Sequence, residues 1–200
     1  IVLTDGTVAR SGGHVIKNVA GYDLTKLLHG AHGTLGVLAQ LVLRLHPTPG
    51  ATATVAVPCD RAAMAGLARR VADSPVEATA VQWHDDRLVI LIEGSDSGAE
   101  ARARRLVETL GEESEMLAPD DATAVWDAHA AAVRARPEGR AVLRLGVIPA
   151  ALPGVLDGLE ADAGGLAEVT ASPRTGIATV AVRAEAEVVA AAHRRVADAG

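Results

Sequence analysis

The sequence predicts an α+β fold: an antiparallel sheet built from two similar halves, with helices on one face, preceded by a shorter segment of different character. Three observations predict it. After position 50 the order strand, helix, strand, strand, helix occurs twice, with one further helix between the copies. Before position 48 the chain is glycine-rich and its apolar runs follow no such order. Between the two lies Thr48-Pro49-Gly50, where proline and glycine interrupt any regular element. Each copy matches the start of a βαββαβ unit of the ferredoxin-like kind. Helices then cover one face of an antiparallel sheet. The expected domains are therefore 1–49 and 50–200.

The elements follow in order. Ile1–Leu3 and Thr7–Arg10 flank Asp5-Gly6, a pair suited to a tight hairpin because both turn positions favour positive φ. His14–Val19 reads as a short strand, and Asp23 caps a helix through Leu24, Leu27 and Leu28 that ends near Gly30. A long apolar strand is expected from Val37 to Leu45. Beyond the boundary, Thr52–Val57 alternates as a strand and Arg61–Asp73 as an amphipathic helix. Thr79–His84 and Arg87–Glu93 form a hairpin about Asp85-Asp86. Glu100–Leu110 is helical, with Arg102, Arg104 and Arg105 on its wet side, and a helix capped by Asp120 or Asp121 runs to Arg134. The second copy comprises strand Ala141–Val147, helix Ala150–Asp162, strands Leu166–Ala171 and Ile177–Arg183, and helix Glu185–Ala199.

Composition narrows the function classes. The chain has 200 residues, 49% of them hydrophobic but only 2% aromatic, with no Phe. A core of small aliphatic residues follows. The net charge of −6 argues against nonspecific nucleic-acid binding, which needs a cationic face. Cys59 is the only cysteine, so the chain cannot form an internal disulfide or a cysteine-rich metal site. Apolar runs are broken well before the ~20 residues of a membrane span. A soluble, cytoplasmic protein is expected. The opening in mid-strand at Ile1 suggests a piece of a longer polypeptide.

The chemistry-bearing signal lies in the first fifty residues. Lys17-Asn18-Val19-Ala20-Gly21-Tyr22-Asp23-Leu24 is followed by Gly30-Ala31-His32-Gly33-Thr34-Leu35-Gly36-Val37. Glycines before an apolar strand let the main chain approach a ligand and offer it N–H groups. On spacing alone an ordinary helix end and tight turn is the better explanation of the cluster. It has neither the Gly-Lys-Ser/Thr of a P-loop nor the order of a dinucleotide-binding turn. Tyr22, the only tyrosine, falls inside it.

These residues, with Leu27-Leu28 and Leu43-Arg44-Leu45-His46-Pro47, resemble the closing part of the FAD-binding domain in vanillyl-alcohol-oxidase (PCMH) type FAD-linked oxidases, and within them the glycolate oxidase flavin subunits. Leu3-Thr4-Asp5-Gly6 and Ser11-Gly12-Gly13 are similar as well. The resemblance implies the end of a PCMH-type FAD-binding domain followed by a ferredoxin-like cap. It implies FAD as cofactor, bound through Asn18, Gly21, Tyr22, Gly33, Thr34, Leu35, Gly36 and Val37. The implied reaction converts glycolate or D-lactate to the 2-oxo acid. The implied partners are further flavin and iron–sulfur subunits of a glycolate oxidase, with membrane association through them. Two departures stand out: Gly30-Ala31 where the family carries Gly-Ser, and Ala39-Gln40 where an acidic residue is common. The family's pyrophosphate loop precedes the matching segment, so these 200 residues alone are not expected to bind FAD tightly or to turn over.

The remaining candidates read as structural. His29 and His32, three apart with no third ligand near, make no metal site. His14, His46, His129 and His193 are scattered, and His84-Asp85-Asp86 reads as a solvated turn. Cys59 has no His or Lys beside it and reads as an inert thiol. Trp83 and Trp126 read as core or interface anchors. Arg144 and Arg183 are the arginines considered for a substrate carboxylate, without support from spacing. The rival reading is a non-catalytic ferredoxin-like module for assembly or regulation, which needs no glycine block.

Overall fold

The computed structural model describes residues 1–12, 22–111 and 113–199. The strand expected at His14–Val19 lies outside them. Contacts divide the chain into two compact units, Ile1–Pro47 and Thr48–Gly200.

Among its described residues the second unit holds seven strands and five α-helices. Its first half runs β1 (Ala51–Pro58), α2 (Met64–Asp73), β2 (Ala80–His84), β3 (Arg87–Gly94), α3 (Asp96–Leu110) and β4 (Glu115–Met116). Helix α4 (Pro119–Arg134) follows. The second half runs β5 (Arg140–Gly146), α5 (Leu152–Ala163), β6 (Ala167–Ser172), β7 (Ile177–Arg183) and α6 (Ala186–Asp198). All pairings are antiparallel, in the order β4-β1-β3-β2-β6-β7-β5. The first half is thus a complete 4-1-3-2 ferredoxin-like sheet. The second repeats 1-3-2 without a fourth strand, and the halves join through their second strands, β2 and β6.

Local chemistry explains the elements. Asp85 and Asp86 both take positive φ, +54° and +50°, so the β2–β3 link is the tight turn that matches strand twist. Pro119 opens α4 at a position that needs no N–H, with Asp120 and Asp121 in the favourable first turn. Asp120 and Asp121 lie inside the helix and make no side-chain cap. Gly164 closes α5 in the left-handed conformation, φ +63°.

One core serves the whole second unit. Leu88, Ile90, Ile92 and Val180 project from the sheet onto Met64, Val71, Leu106, Leu152, Leu156 and Leu159 of the repeat helices. These residues are essentially inaccessible, which is where most of the stabilising apolar burial lies. Trp83 joins this core and donates from Nε1 to the Cys59 carbonyl at 2.7 Å. Helix α4 meets strand residues of the opposite parity. Trp126 Nε1 donates to Thr54 Oγ1 at 3.0 Å, whereas the neighbouring Val55 faces the core. Arg102 departs from the expected wet face: it is half-buried and donates to the carbonyls of Gly98 and Glu93.

Among its described residues the first unit contains one short helix, α1 (Leu24–Leu28), and isolated bridges Val2–Val8 and Val2–Val37. A hairpin forms about Asp5-Gly6, with Leu3 N donating to the Thr7 carbonyl at 2.9 Å and Gly6 N to the Leu3 carbonyl at 3.0 Å, but only Gly6 takes the positive φ expected of both turn positions, at +84°. The strand expected from Val37 to Leu45 does not. Only Val37 makes a bridge, and Leu41, Val42, Leu43 and Leu45 are exposed. The physical reason is that a strand exists through its partner, and no described residue pairs with positions 38–45.

Candidate functional site

The glycine block forms a shaped turn. Helix α1 ends at His29 in extended conformation; Gly30 follows at φ +77°, His32 at +50°, Gly33 at +77° and Gly36 at +147°. Thr34 locks the turn from both ends of the residue: its N–H donates to the Ala31 carbonyl at 3.0 Å and its hydroxyl to the same oxygen at 2.7 Å. Val37 N and O both engage Val2, each at 2.8 Å. A Cβ on Gly36 would stand 2.8 Å from the Val2 carbonyl oxygen, so only glycine fits there.

Beside this turn lies a groove of about 320 Å³ lined by Leu28, Ala31, Gly33, Gly36, Val37 and Leu38. Of the sequence-derived residues, Gly33, Gly36 and Val37 line it directly. The amides of Thr34 and Val37 are spent on their own neighbours. Those of Gly33, Leu35 and Gly36 meet no hydrogen-bond acceptor among the described residues. Tyr22 is almost fully exposed, and its carbonyl accepts from Leu24 N at 3.0 Å. Asn18 and Gly21 lie outside the described residues. Asp23 does not cap α1 through its side chain; it accepts from the Thr25 hydroxyl, which lowers its pKa, and its backbone carbonyl accepts from Lys26 N.

A second polar cluster, which sequence reasoning missed, sits in the second unit under α4. The rings of His84 on β2 and His129 on α4 lie 6.1 Å apart, edge to face, and Trp126 stands 6.1 Å from His129 on another side. His129 Nδ1 is buried with no hydrogen-bond partner among the described residues. Burial first, and then the adjacent His84, lowers the His129 pKa. Nearby, Ser172 Oγ donates to Gln82 Oε1 at 2.5 Å, tying β6 to β2. No group of three or more His, Cys, Asp or Glu suited to a metal occurs among the described residues. Cys59 behaves as an inert thiol should: burial, then Asp60 and Asp86, push its pKa up to about 12.

With this geometry in view, likeness to known proteins is informative. Over 49 residues, 24% of this chain and 10% of the relative, the chain is 47% identical to glycolate oxidase subunit GlcD of Bacillus subtilis. Over 108 residues, 54% of this chain and 30% of the relative, it is 35% identical to glycolate oxidase subunit GlcE of Escherichia coli. The chain is a partial homologue of the FAD-linked oxidases. Other relatives bear the names FAD-linked oxidoreductase and D-lactate dehydrogenase; the mitochondrial cytochrome D-lactate dehydrogenase 1 of Saccharomyces cerevisiae is 32% identical over 98 residues, 48% of this chain and 17% of the relative. Matches of 98 and 108 residues exceed the first unit, Ile1–Pro47, and so extend into the sheet. The matched part spans between about a tenth and three-tenths of these relatives. No family model matches the chain. No helix among the described residues is long and apolar enough to cross a membrane.

Proposed function

We propose that this chain is part of a flavoprotein subunit that oxidises a small 2-hydroxy acid, glycolate or D-lactate, to the 2-oxo acid. Residues 1–49 contribute the end of the FAD-binding domain, and residues 50–200 form the cap. The observation that carries the reading is the groove at Leu28–Leu38, formed by the same segment whose motifs resemble the family, with the amides of Gly33, Leu35 and Gly36 meeting no acceptor among the described residues. The names glycolate oxidase and D-lactate dehydrogenase among the partial homologues support the substrate class. Their designation as subunits supports partner chains, which by the resemblance would be further flavin and iron–sulfur subunits.

The residues present fit FAD. The amides of Gly33, Leu35 and Gly36, without an acceptor among the described residues, would be available to a polar ligand, and glycine at 33 leaves the main chain bare for close approach, whereas at 36 it admits the Val2 carbonyl. Val37 and Leu38 supply an apolar wall. Thr34 holds the turn through Ala31, so the amides are fixed before any ligand arrives. When bound, FAD supplies a hydride acceptor, and the chain supplies position and a preformed electrostatic surround. Tyr22 and, outside the described residues, Asn18 and Gly21 complete the proposed contact set.

The test is to purify the full-length protein and record its visible spectrum, then follow dye reduction on adding glycolate or D-lactate. A yellow protein bleached by either acid is the expected result. Correctly folded, colourless protein that takes up no FAD on reconstitution would remove the reading in favour of a non-catalytic assembly module.

A further inference from the structure

Helix α4 stands apart from both repeats. It is inserted between the two copies, and among the described helices of this unit it alone lies on the sheet face opposite to α2, α3, α5 and α6. Of its sixteen residues only Ala132 is buried, and none belongs to the apolar core. Among the described residues its one side-chain hydrogen bond to the rest of the unit runs from Trp126 Nε1 to Thr54 Oγ1 at 3.0 Å, and no ion pair involves it. The repeats therefore keep their core whether or not this helix is in place.

Both ends of α4, by contrast, are fastened. Before it, Leu117 N donates to the Thr54 carbonyl at 2.9 Å; after it, Ala184 N donates to the Gly139 carbonyl at 3.3 Å. Between these points the helix rests on β1 and β6. The sheet residues on that face, Thr54, Ala56, Val89 and Thr170, are buried yet outside the core, and their side chains are small or hydroxylated, so the contact buries little apolar area. In the middle of it His129 Nδ1 has no hydrogen-bond partner among the described residues, with the rings of His84 and Trp126 each 6.1 Å away. Strand β1 carries no titratable residue. The charged groups on the neighbouring elements are Asp85 and Asp86 in the turn after His84, Arg87 and Glu93 on β3, Glu168 on β6, and Asp127 on α4 itself. None of the carboxylates pairs with either imidazole among the described residues.

We propose that α4 is a hinged strap: it lifts off the sheet as one unit about Leu117–Ala118 and Ala135–Gly139 while the strands and the four repeat helices stay folded, and acid favours the lifted form. Lifting bares Thr54 and Thr170 beside Gln82 and Ser172, a row of hydroxyl and amide groups that the docked helix keeps from solvent. A proton on docked His129 sits beside His84 with no acceptor, whereas in the lifted form it meets water. Burial, and then His84, hold the docked pKa of His129 below 6.5, so the lifted form binds the proton first. At pH 7 the lifted form is a minor population, and the unit still melts in one step.

The experiment is native-state amide exchange on the full-length protein in low urea, corrected for intrinsic rates at each pH. It reads amides alone, so its outcome is separate from that of the flavin reading. At pH 7 the amides of residues 123–134 are expected to exchange about a hundredfold faster than those of β1, β3 and α5, and with a much smaller urea dependence. Between pH 7 and pH 5 their protection should fall by roughly fivefold, and His129→Gln should remove that fall. Thr54→Val, which takes the acceptor from Trp126 and touches no titrating group, should lower α4 protection by about tenfold and keep the pH response. Protection and urea dependence in α4 equal to those of the core strands overturn the proposal, since the helix then opens only with the whole unit. So does a fivefold fall that persists in His129→Gln, or α4 exchange unchanged by Thr54→Val.

Discussion

At the scale of single residues, Gly33 and Gly36 look alike in sequence and differ in structure. Both take positive φ, but a Cβ at 33 meets nothing within 4 Å, whereas at 36 it meets the Val2 carbonyl at 2.8 Å. Gly33→Ala carries only the backbone strain, about 1 kcal/mol. Gly36→Ala adds a clash with an atom that also holds Val37, so the bridge itself must shift. The expected outcome in the full-length protein is a modest loss of flavin content for Gly33→Ala and a severe one for Gly36→Ala, read from visible absorbance. Equal losses would mean that the close approach to Val2 is irrelevant to the groove. Cys59 allows a second single-residue prediction. With its thiol pushed up to about 12, a thiol reagent at pH 8 should leave the native protein unmodified and label it promptly once denatured.

At the scale of elements, α4 is the piece whose docking depends on pH. His129 is held neutral by burial and by His84, so its folded pKa lies below the ordinary 6.5. A state with α4 released takes up the proton first. Docking is therefore fully stable above about pH 6.5 and weakens as pH falls below it. Urea midpoints should drop between pH 7 and pH 5, and His129→Gln should flatten that drop; an unchanged slope would place the titrating group elsewhere. Neither His84 nor His129 could be paired from sequence, because 45 positions separate them and only the α4 crossing brings them to 6.1 Å. The strand at Ile177–Arg183 and the turn at Asp85-Asp86 were legible, since alternation and turn chemistry are local signals. Local signals also misled: Val37–Leu45 has ideal strand composition yet pairs only at Val37, because composition describes a strand's surface and not its partner. The two-residue β4 was missed for the opposite reason, being too short to show any period.

At the scale of the whole molecule, the halves of the second unit share one core across a seam of two strands. Trp83 pairs with Ala171 and His84 with Thr170 at that seam, and Arg61 reaches from the start of α2 to Asp157 and Glu160 on α5 at 3.0 and 2.6 Å. The repeated element order was readable because each copy's pattern is contained within it, whereas the β2–β6 seam joins residues nearly ninety positions apart and leaves no periodic trace. Among the described residues, every buried member of this apolar core lies between Val55 and Ala192. Residues 48–199 should therefore fold alone and unfold in one cooperative step, with a melting temperature within a few degrees of the 200-residue chain. Trp83 sits where the two halves meet and is 4% exposed. Trp83→Ala removes its ring and leaves the Cys59 carbonyl without its donor, at a cost of about 3–5 kcal/mol. If the halves are one cooperative body, this variant melts earlier in a single transition, with near- and far-ultraviolet signals moving together. Two separated transitions would show instead that each ferredoxin-like half is stable by itself and that the seam merely joins them.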